Sequence, residues 1–280
     1  MYELLWRIAF AVFLAALVPS AVCVITQLAL RKTGSGETPK WLIWLRRGTN
    51  VVIGVGLALL TASILARWGE TGYPPFSNVP ESLLWMAWGY CVVYLATRAF
   101  IDFPGMEVAG CLGVVAILAL SAHYGHSVRP LMPALQSNWL IFHVFTCMVS
   151  YGAFFAAFLT AILWLSIWRK RESSRVVDAL LYQMMAFGLF MLTIGIISGS
   201  VWARQAWGRY WGWDPKETWS LITWLVYAVY LHFRMIAGSF GLSQAERPKL
   251  NAVFAIIGFA VTMFTYFGVN YLLSGLHSYA

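Results

Sequence analysis

Residues 178–203 read DALLYQMMAFGLFMLTIGIISGSVWA, with no Asp, Glu, Lys or Arg from 179 to 203. A bilayer-crossing helix needs about 20 consecutive, mostly apolar residues. The next stretch, RQAWGRYWGWDPK at 204–216, carries three cations, four aromatics and two glycines, and a second apolar run, ETWSLITWLVYAVYLHFRMIA, occupies 217–237. The pattern is that of a chain that crosses a membrane, turns in a short aromatic connector and crosses back. Extended outward, the same reading finds eight spans, at roughly 6–30, 49–67, 80–98, 106–122, 138–168, 178–203, 217–237 and 250–272. The expected fold is an all-α polytopic membrane bundle, one transmembrane domain over 1–280 with an external Trp-rich loop at 201–219.

Composition supports this. Only 11% of the 280 residues are charged, against about 25% in an ordinary soluble domain. So few charges cannot cover a water-soluble globule, and the lipid bilayer must solvate much of the surface. The net charge of +8 does not indicate nucleic acid, because the basic residues sit at the ends of apolar runs. Cys23, Cys91, Cys111 and Cys147 each lie inside an apolar run and form no C-x-x-C pair, which argues against thiol redox chemistry and thiolate metal sites. The first apolar run, Ile8 to Leu30, is too long for a signal-peptide core and reads as a retained span.

Loop charges give an orientation. The connectors after spans 1, 3, 5 and 7 hold 13 of the 19 basic residues, and the other side holds 6. By the positive-inside rule both termini are expected outside, with the loops at 68–79, 123–137 and 204–216. Two helix starts mark that face, Asn78-Val79-Pro80-Glu81 and Asp214-Pro215-Lys216-Glu217. Asn or Asp caps, Pro fits the first helical position, and Glu three residues on closes a capping box.

The connector itself carries the functional signal. Trp202, Trp207, Trp211, Trp213, Trp219 and Trp224 crowd one short stretch, with Gly208 and Gly212 between them. An interfacial belt places one or two Trp at a span end. Four within the loop, packed around glycines, suit a shaped platform for a flat apolar ligand. Arg204, Arg209 and Lys216 beside it can pair with carboxylates on such a ligand or simply reach water.

W-G-x-x-W-G-W-D-P-K-E-T-W-S (207–220), followed by an apolar helix ending in His232, resembles the signature of the haem-handling WWD family, which includes CcsA (ResC), CcmC and CcmF. Phe76-Ser77-Asn78-Val79-Pro80-Glu81-Ser82, His143-Val144 and Gly275-Leu276-His277-Ser278 resemble other parts of that family. Eight spans in 280 residues suit the CcsA type. The resemblance implies a protein of cytochrome c biogenesis in a bacterial inner membrane or a thylakoid-type membrane. It implies haem b as the transported substrate and apocytochrome c as client. It further implies a CcsB/ResB-type membrane subunit as partner and a thioredoxin-like reductant for the client thiols. The chain would then be one subunit of a holocytochrome c synthase.

Neutral imidazole is a good haem-iron ligand, and ionisable groups in a bilayer are costly enough to be functional candidates. His143 is expected about one turn into span 5 from the outer side, and His277 after span 8, also outside. Two imidazoles on opposite faces of a macrocycle fill both axial positions, and the resemblance implies the same roles for this pair. His232 lies 15 residues beyond Glu217, roughly 22 Å along a helix, too deep for the outer loop. The resemblance implies that it binds haem within the membrane, paired with a histidine of the CcsB-type subunit, before the haem passes to the outer platform. His123 and His126 read as solvated loop residues. Trp202, Trp207, Trp211, Trp213, Asp214 and Trp219 complete the expected haem contacts, and no side chain stands out as a general acid or base. Three other readings remain open at this point. They are a CcmC-type haem chaperone that makes no thioether, a non-haem transporter gated by the aromatic loop, and a permanent b-type electron-transfer subunit.

Overall fold

The computed structural model describes residues 1–33, 38–101, 103, 105–124, 131–167, 171–236 and 246–275. His126 and His277 therefore fall outside the described residues. Among those residues there is no strand, and eight helices are long and apolar enough to cross a membrane. They are α1 (Tyr2–Thr33), α2 (Lys40–Thr71), α3 (Val79–Phe100), α4 (Met106–Tyr124), α5 (Asn138–Ile167), α6 (Arg171–Trp207), α7 (Pro215–Ile236) and α8 (Arg247–Met263). A π-turn at Phe264–Gly268 carries α8 into the short α9 (Val269–Leu272), so that the last span is made of both.

The most buried helix is α5, which packs against α3, α4, α6 and α8. The α1–α2 pair leans on α4 and α3 at one side, while α7, the least buried span, lies at the other against α6 and α8. Between apolar helices in lipid there is no hydrophobic drive, so close backbone approach and satisfied polar groups hold a bundle together. At the α3–α5 crossing a Cβ on Gly152 would lie 2.6 Å from the Tyr90 backbone nitrogen, and one on Gly89 would lie 2.8 Å from the Val149 Cα. Only glycine permits that distance.

Several helices outrun the expected spans, for two physical reasons. Charges that the sequence assigns to loops are instead paired inside the bundle. On α2, Arg46 donates Nε–H to Glu107 of α4 (2.8 Å), which also accepts from Arg98 of α3 (3.2 Å). Arg67 binds Glu81 through Nε and a terminal nitrogen (3.2 and 3.0 Å), and Arg234 of α7 forms a two-bond pair with Asp178 of α6 (2.8 and 2.7 Å). Setting these four arginines aside leaves ten basic residues against five, so the positive-inside bias keeps its sign.

The second reason corrects the loop. Helix α6 continues to Trp207, and Trp202 and Trp207 stand on its last two turns rather than in the connector. Ala203, Gln205 and Ala206 favour a helix. The chain first turns left-handed at Gly208 (φ 80°), whose N–H closes on the Arg204 carbonyl (3.1 Å). The connector between the helices is thus 208–214.

Candidate functional site

Both expected helix caps form. Asn78 Oδ1 accepts from the Glu81 N–H (3.0 Å) at the start of α3. The Glu81 carboxylate reaches one residue past the expected box: its Oε2 accepts from the N–H (3.0 Å) and hydroxyl (2.7 Å) of Ser77 and not from the Asn78 N–H, while its Oε1 receives Arg67. The pair is buried, with side chains 4% and 1% exposed. At α7, Asp214 Oδ1 accepts from the Lys216 N–H (3.0 Å), and Glu217 Oε2 accepts from Asp214 (3.1 Å) and Gly212 (2.7 Å) N–H. These bonds pin the connector through Trp213, a non-glycine residue at φ 56°. The Asp214 carboxylate is buried as a cap.

These loops rim an open cleft bordered by α3, α5, α6, α7 and the π-turn, with ≈ 1140 Å³ of empty space when the open solvent at its mouth is counted. Its lining is mostly apolar and aromatic with a few polar groups, the character of a site for a flat apolar ligand. His143, the sixth residue of α5, lines it. Its Nδ1 lies 2.7 Å from the Gly195 carbonyl of α6. A carbonyl only accepts, so Nδ1 carries the hydrogen and Nε2 keeps its lone pair, the arrangement that metal-binding histidines use. The imidazole stacks on the Trp202 indole (centroids 5.9 Å, 14°). That indole is fixed in turn by its N–H to the Ala134 carbonyl (2.9 Å) and by Trp207 edge-on at 4.7 Å. Gly199 lies under the ring, where a Cβ would come within 2.5 Å of Nδ1.

Of the residues expected from sequence, His143, Trp202 and Trp211 line this cleft together. Trp213 packs edge-on against Trp211 (5.8 Å) and is itself 69% exposed. Trp219 faces Phe264 at 4.2 Å, Trp207 backs Trp202, and Asp214 lies behind the connector. His232 is exposed on α7, away from the cleft. His277 lies outside the described residues, but Gly275, two residues before it, abuts Asp214, because a Cβ there would fall 2.5 Å from Asp214 Oδ2.

Other contributors were not assigned to the site from sequence. Phe76, on the cleft wall, stacks on Trp85 (5.0 Å, 12°), whose indole N–H holds the Pro75 carbonyl (3.1 Å). Trp85 sits in an apolar run and reads there as ordinary span filling. Tyr266 and Asn270 reach the cleft because the π-turn shifts the phase of the last span, and the Tyr266 hydroxyl is 2.6 Å from that of Ser82. Nothing in the sequence marks that turn. The pair Gly195 and Gly199, one helical turn apart in GIISG, was the legible trace of the His143 seat.

Residues 76–277 match the family described as Cytochrome C assembly protein. The chain is 40% identical to the cytochrome c biogenesis protein CcsA of Chlamydomonas reinhardtii, over 82% of this chain and 67% of that one. It is likewise 40% identical to CcsA of Guillardia theta (81% and 85% covered) and 37% identical to CcsA of Parasynechococcus marenigrum strain WH8102 (85% and 89%). A solved structure titled Cytochrome c Heme Lyase CcmF superposes with a TM-score of 0.65 at 17% identity, over 95% of this chain and 46% of that one. The chain thus spans less than half of that protein, and the likeness speaks for the shared fold. With the membrane-type bundle, the matching family and relatives over four fifths of the chain, the conclusion is direct: this chain is a multi-pass membrane protein of the cytochrome c assembly family, with a role in cytochrome c maturation.

Proposed function

We propose that the cleft holds haem on the outer side of the membrane, as substrate, and presents it for covalent attachment to apocytochrome c. In this reading His143 Nε2 ligates iron on one face of the macrocycle and His277 on the other. Trp202, Trp207, Trp211, Trp213 and Trp219 form or back the aromatic cradle around the porphyrin. His232 serves a second haem position deeper in the bilayer, completed by a histidine of a CcsB/ResB-type subunit. Its exposure on the least buried helix leaves it open to such a partner.

The observation that carries the proposal is the His143 seat. An imidazole whose Nδ1–H is tied to a backbone carbonyl, whose ring is stacked on a fixed indole, and whose Nε2 is free beside a large aromatic cleft is preorganised as a metal ligand. Gly275, two residues before His277 in the sequence, lies against Asp214 at the connector, which supports this reading.

The chemistry this asks of the chain is positioning. Each client thiol adds across a vinyl double bond: sulfur bonds to one carbon, the hydrogen goes to the other, and no net electron is transferred. Holding haem next to a bound dithiol raises its effective concentration. The client histidine then takes over an iron position as one protein imidazole leaves. A thioredoxin-like reductant keeps the client thiols reduced.

The deciding experiment is absorption spectroscopy of the purified chain with His143→Gly. The wild type is expected to show a low-spin Soret band, the variant to lose it, and added imidazole to restore it. An unchanged spectrum in the variant sinks the assignment.

A further inference from the structure

Three cations border the connector, and their surroundings differ. The exposed Arg204 guanidinium folds back onto the Gly208 carbonyl. Arg209, also exposed, lies against Gly212, where a Cβ would meet its Nε at 2.5 Å. Lys216 alone of the three lines the cleft, and among the described residues it is the only Lys or Arg that does. Its ammonium donates to the Asn270 amide oxygen at 2.7 Å. The two carboxylates beside it in sequence, Asp214 and Glu217, accept from backbone N–H groups of the connector and the first turn of α7. Asn270 reaches Lys216 because the π-turn rotates the end of the last span. The same segment is anchored by Thr265 to Thr223 (2.7 Å) and by Tyr266 to Ser82. A half-buried ammonium held by a neutral amide inside an apolar cleft keeps its charge available to an anion.

We infer that Lys216, positioned by Asn270, is the carboxylate-recognition group of the cleft and sets the in-plane orientation of a porphyrin bound there. This rests on the haem reading above and adds an orientation to it. On the haem perimeter the two propionates occupy one edge and the two vinyls the opposite edge. A propionate held at Lys216 turns the vinyl edge away from it, and the vinyls are the atoms that thioether formation uses. Iron ligation alone leaves the macrocycle free to rotate about the axial bonds. An in-plane anchor removes that freedom. Lys216 donates its remaining N–H groups to the carboxylate oxygens while one N–H stays on the Asn270 amide oxygen.

The test compares haem with haem dimethyl ester, which keeps the iron, ring and vinyls but removes the anionic charges. Purified full-length chain in detergent is titrated with each, and Soret changes are read as affinity. Wild type is expected to bind the free acid about tenfold to a hundredfold tighter than the diester, as suits a charge-assisted contact. Lys216→Met should bind both at the diester level, Lys216→Arg should restore the preference, and Arg204→Gln should retain it. Diester binding by Lys216→Met shows that this variant is folded. If Lys216→Met keeps the preference, or Arg204→Gln loses it, the inference is overturned while the haem site stands. If wild type binds neither porphyrin, the haem reading itself fails and this inference with it.

Discussion

His143 and Gly195 meet across the α5–α6 interface, imidazole Nδ1 to backbone carbonyl at 2.7 Å, and that bond decides which ring nitrogen carries the hydrogen. It ties a candidate iron ligand to the most extensive helix contact of the bundle. Movement of α6 against α5 would therefore be felt at the site.

Gly199 should matter as much as the histidine it supports. In Gly199→Val the new Cβ lies 2.5 Å from His143 Nδ1 with two methyls beyond it, so the imidazole must tilt. Haem affinity is expected to fall about tenfold to a hundredfold, the usual scale for losing outer-sphere support of a metal ligand. Haem titration of the purified variant measures this, and free imidazole should recover the low-spin band.

The Arg67–Glu81 pair should prove structural. Removing one partner of a buried pair costs about 3–5 kcal/mol because the other charge is left uncompensated. Glu81→Gln and Arg67→Met are each expected to lower the thermal midpoint markedly. Their combination should cost less than the sum, since neither charge is stranded. A double-mutant cycle by thermal unfolding in detergent reads this out. Strict additivity would refute the coupling.

Asp214 separates a cap from a ligand contact. If its carboxylate acts as the α7 cap, Asp214→Asn keeps an accepting oxygen and should be nearly neutral, while Asp214→Ala should cost about 1 kcal/mol. Haem occupancy of Asp214→Asn should match the wild type. A large loss of occupancy with unchanged stability would instead assign Asp214 to the ligand.

His232 should be silent in the isolated chain. It is exposed on α7 and does not border the cleft, so His232→Ala is expected to leave the Soret spectrum of the cleft site unchanged. Co-purified with a CcsB-type partner, the same variant should lack a second haem. Haem-to-protein ratios by the pyridine haemochrome method give both answers.

The orientation is testable without haem. Alkaline phosphatase or fluorescent-protein fusions near residues 125, 210 and 280 are expected to report the outer side at all three. A cytosolic reading at any one of them would separate His143, the connector and His277 and remove the proposed coordination.

Much of this molecule was legible in one dimension. Lipid admits only backbone that satisfies its own hydrogen bonds, so twenty apolar residues in a row mean a helix whatever its neighbours are. That is why eight spans, the caps at Asn78 and Asp214, and the aromatic connector could be read directly. Boundaries were less legible. Arg46, Arg67, Arg98 and Arg234 read as loop charges because a bilayer rejects a lone cation, and only packing supplies the Glu107, Glu81 and Asp178 that neutralise them. Trp202 and Trp207 read as loop residues because helix continuation to Gly208 leaves no mark in hydropathy.

Residue types were set by sequence: a tryptophan-rich connector with cations beside it, and a histidine near the start of a span. Which nitrogen of His143 is free, which of three cations lines the cleft, and that Phe76 and Tyr266 join its wall follow from contacts between residues tens to hundreds of positions apart. Those contacts depend on helix phase and crossing distance, quantities that a local pattern does not carry. The tertiary structure alone decided them.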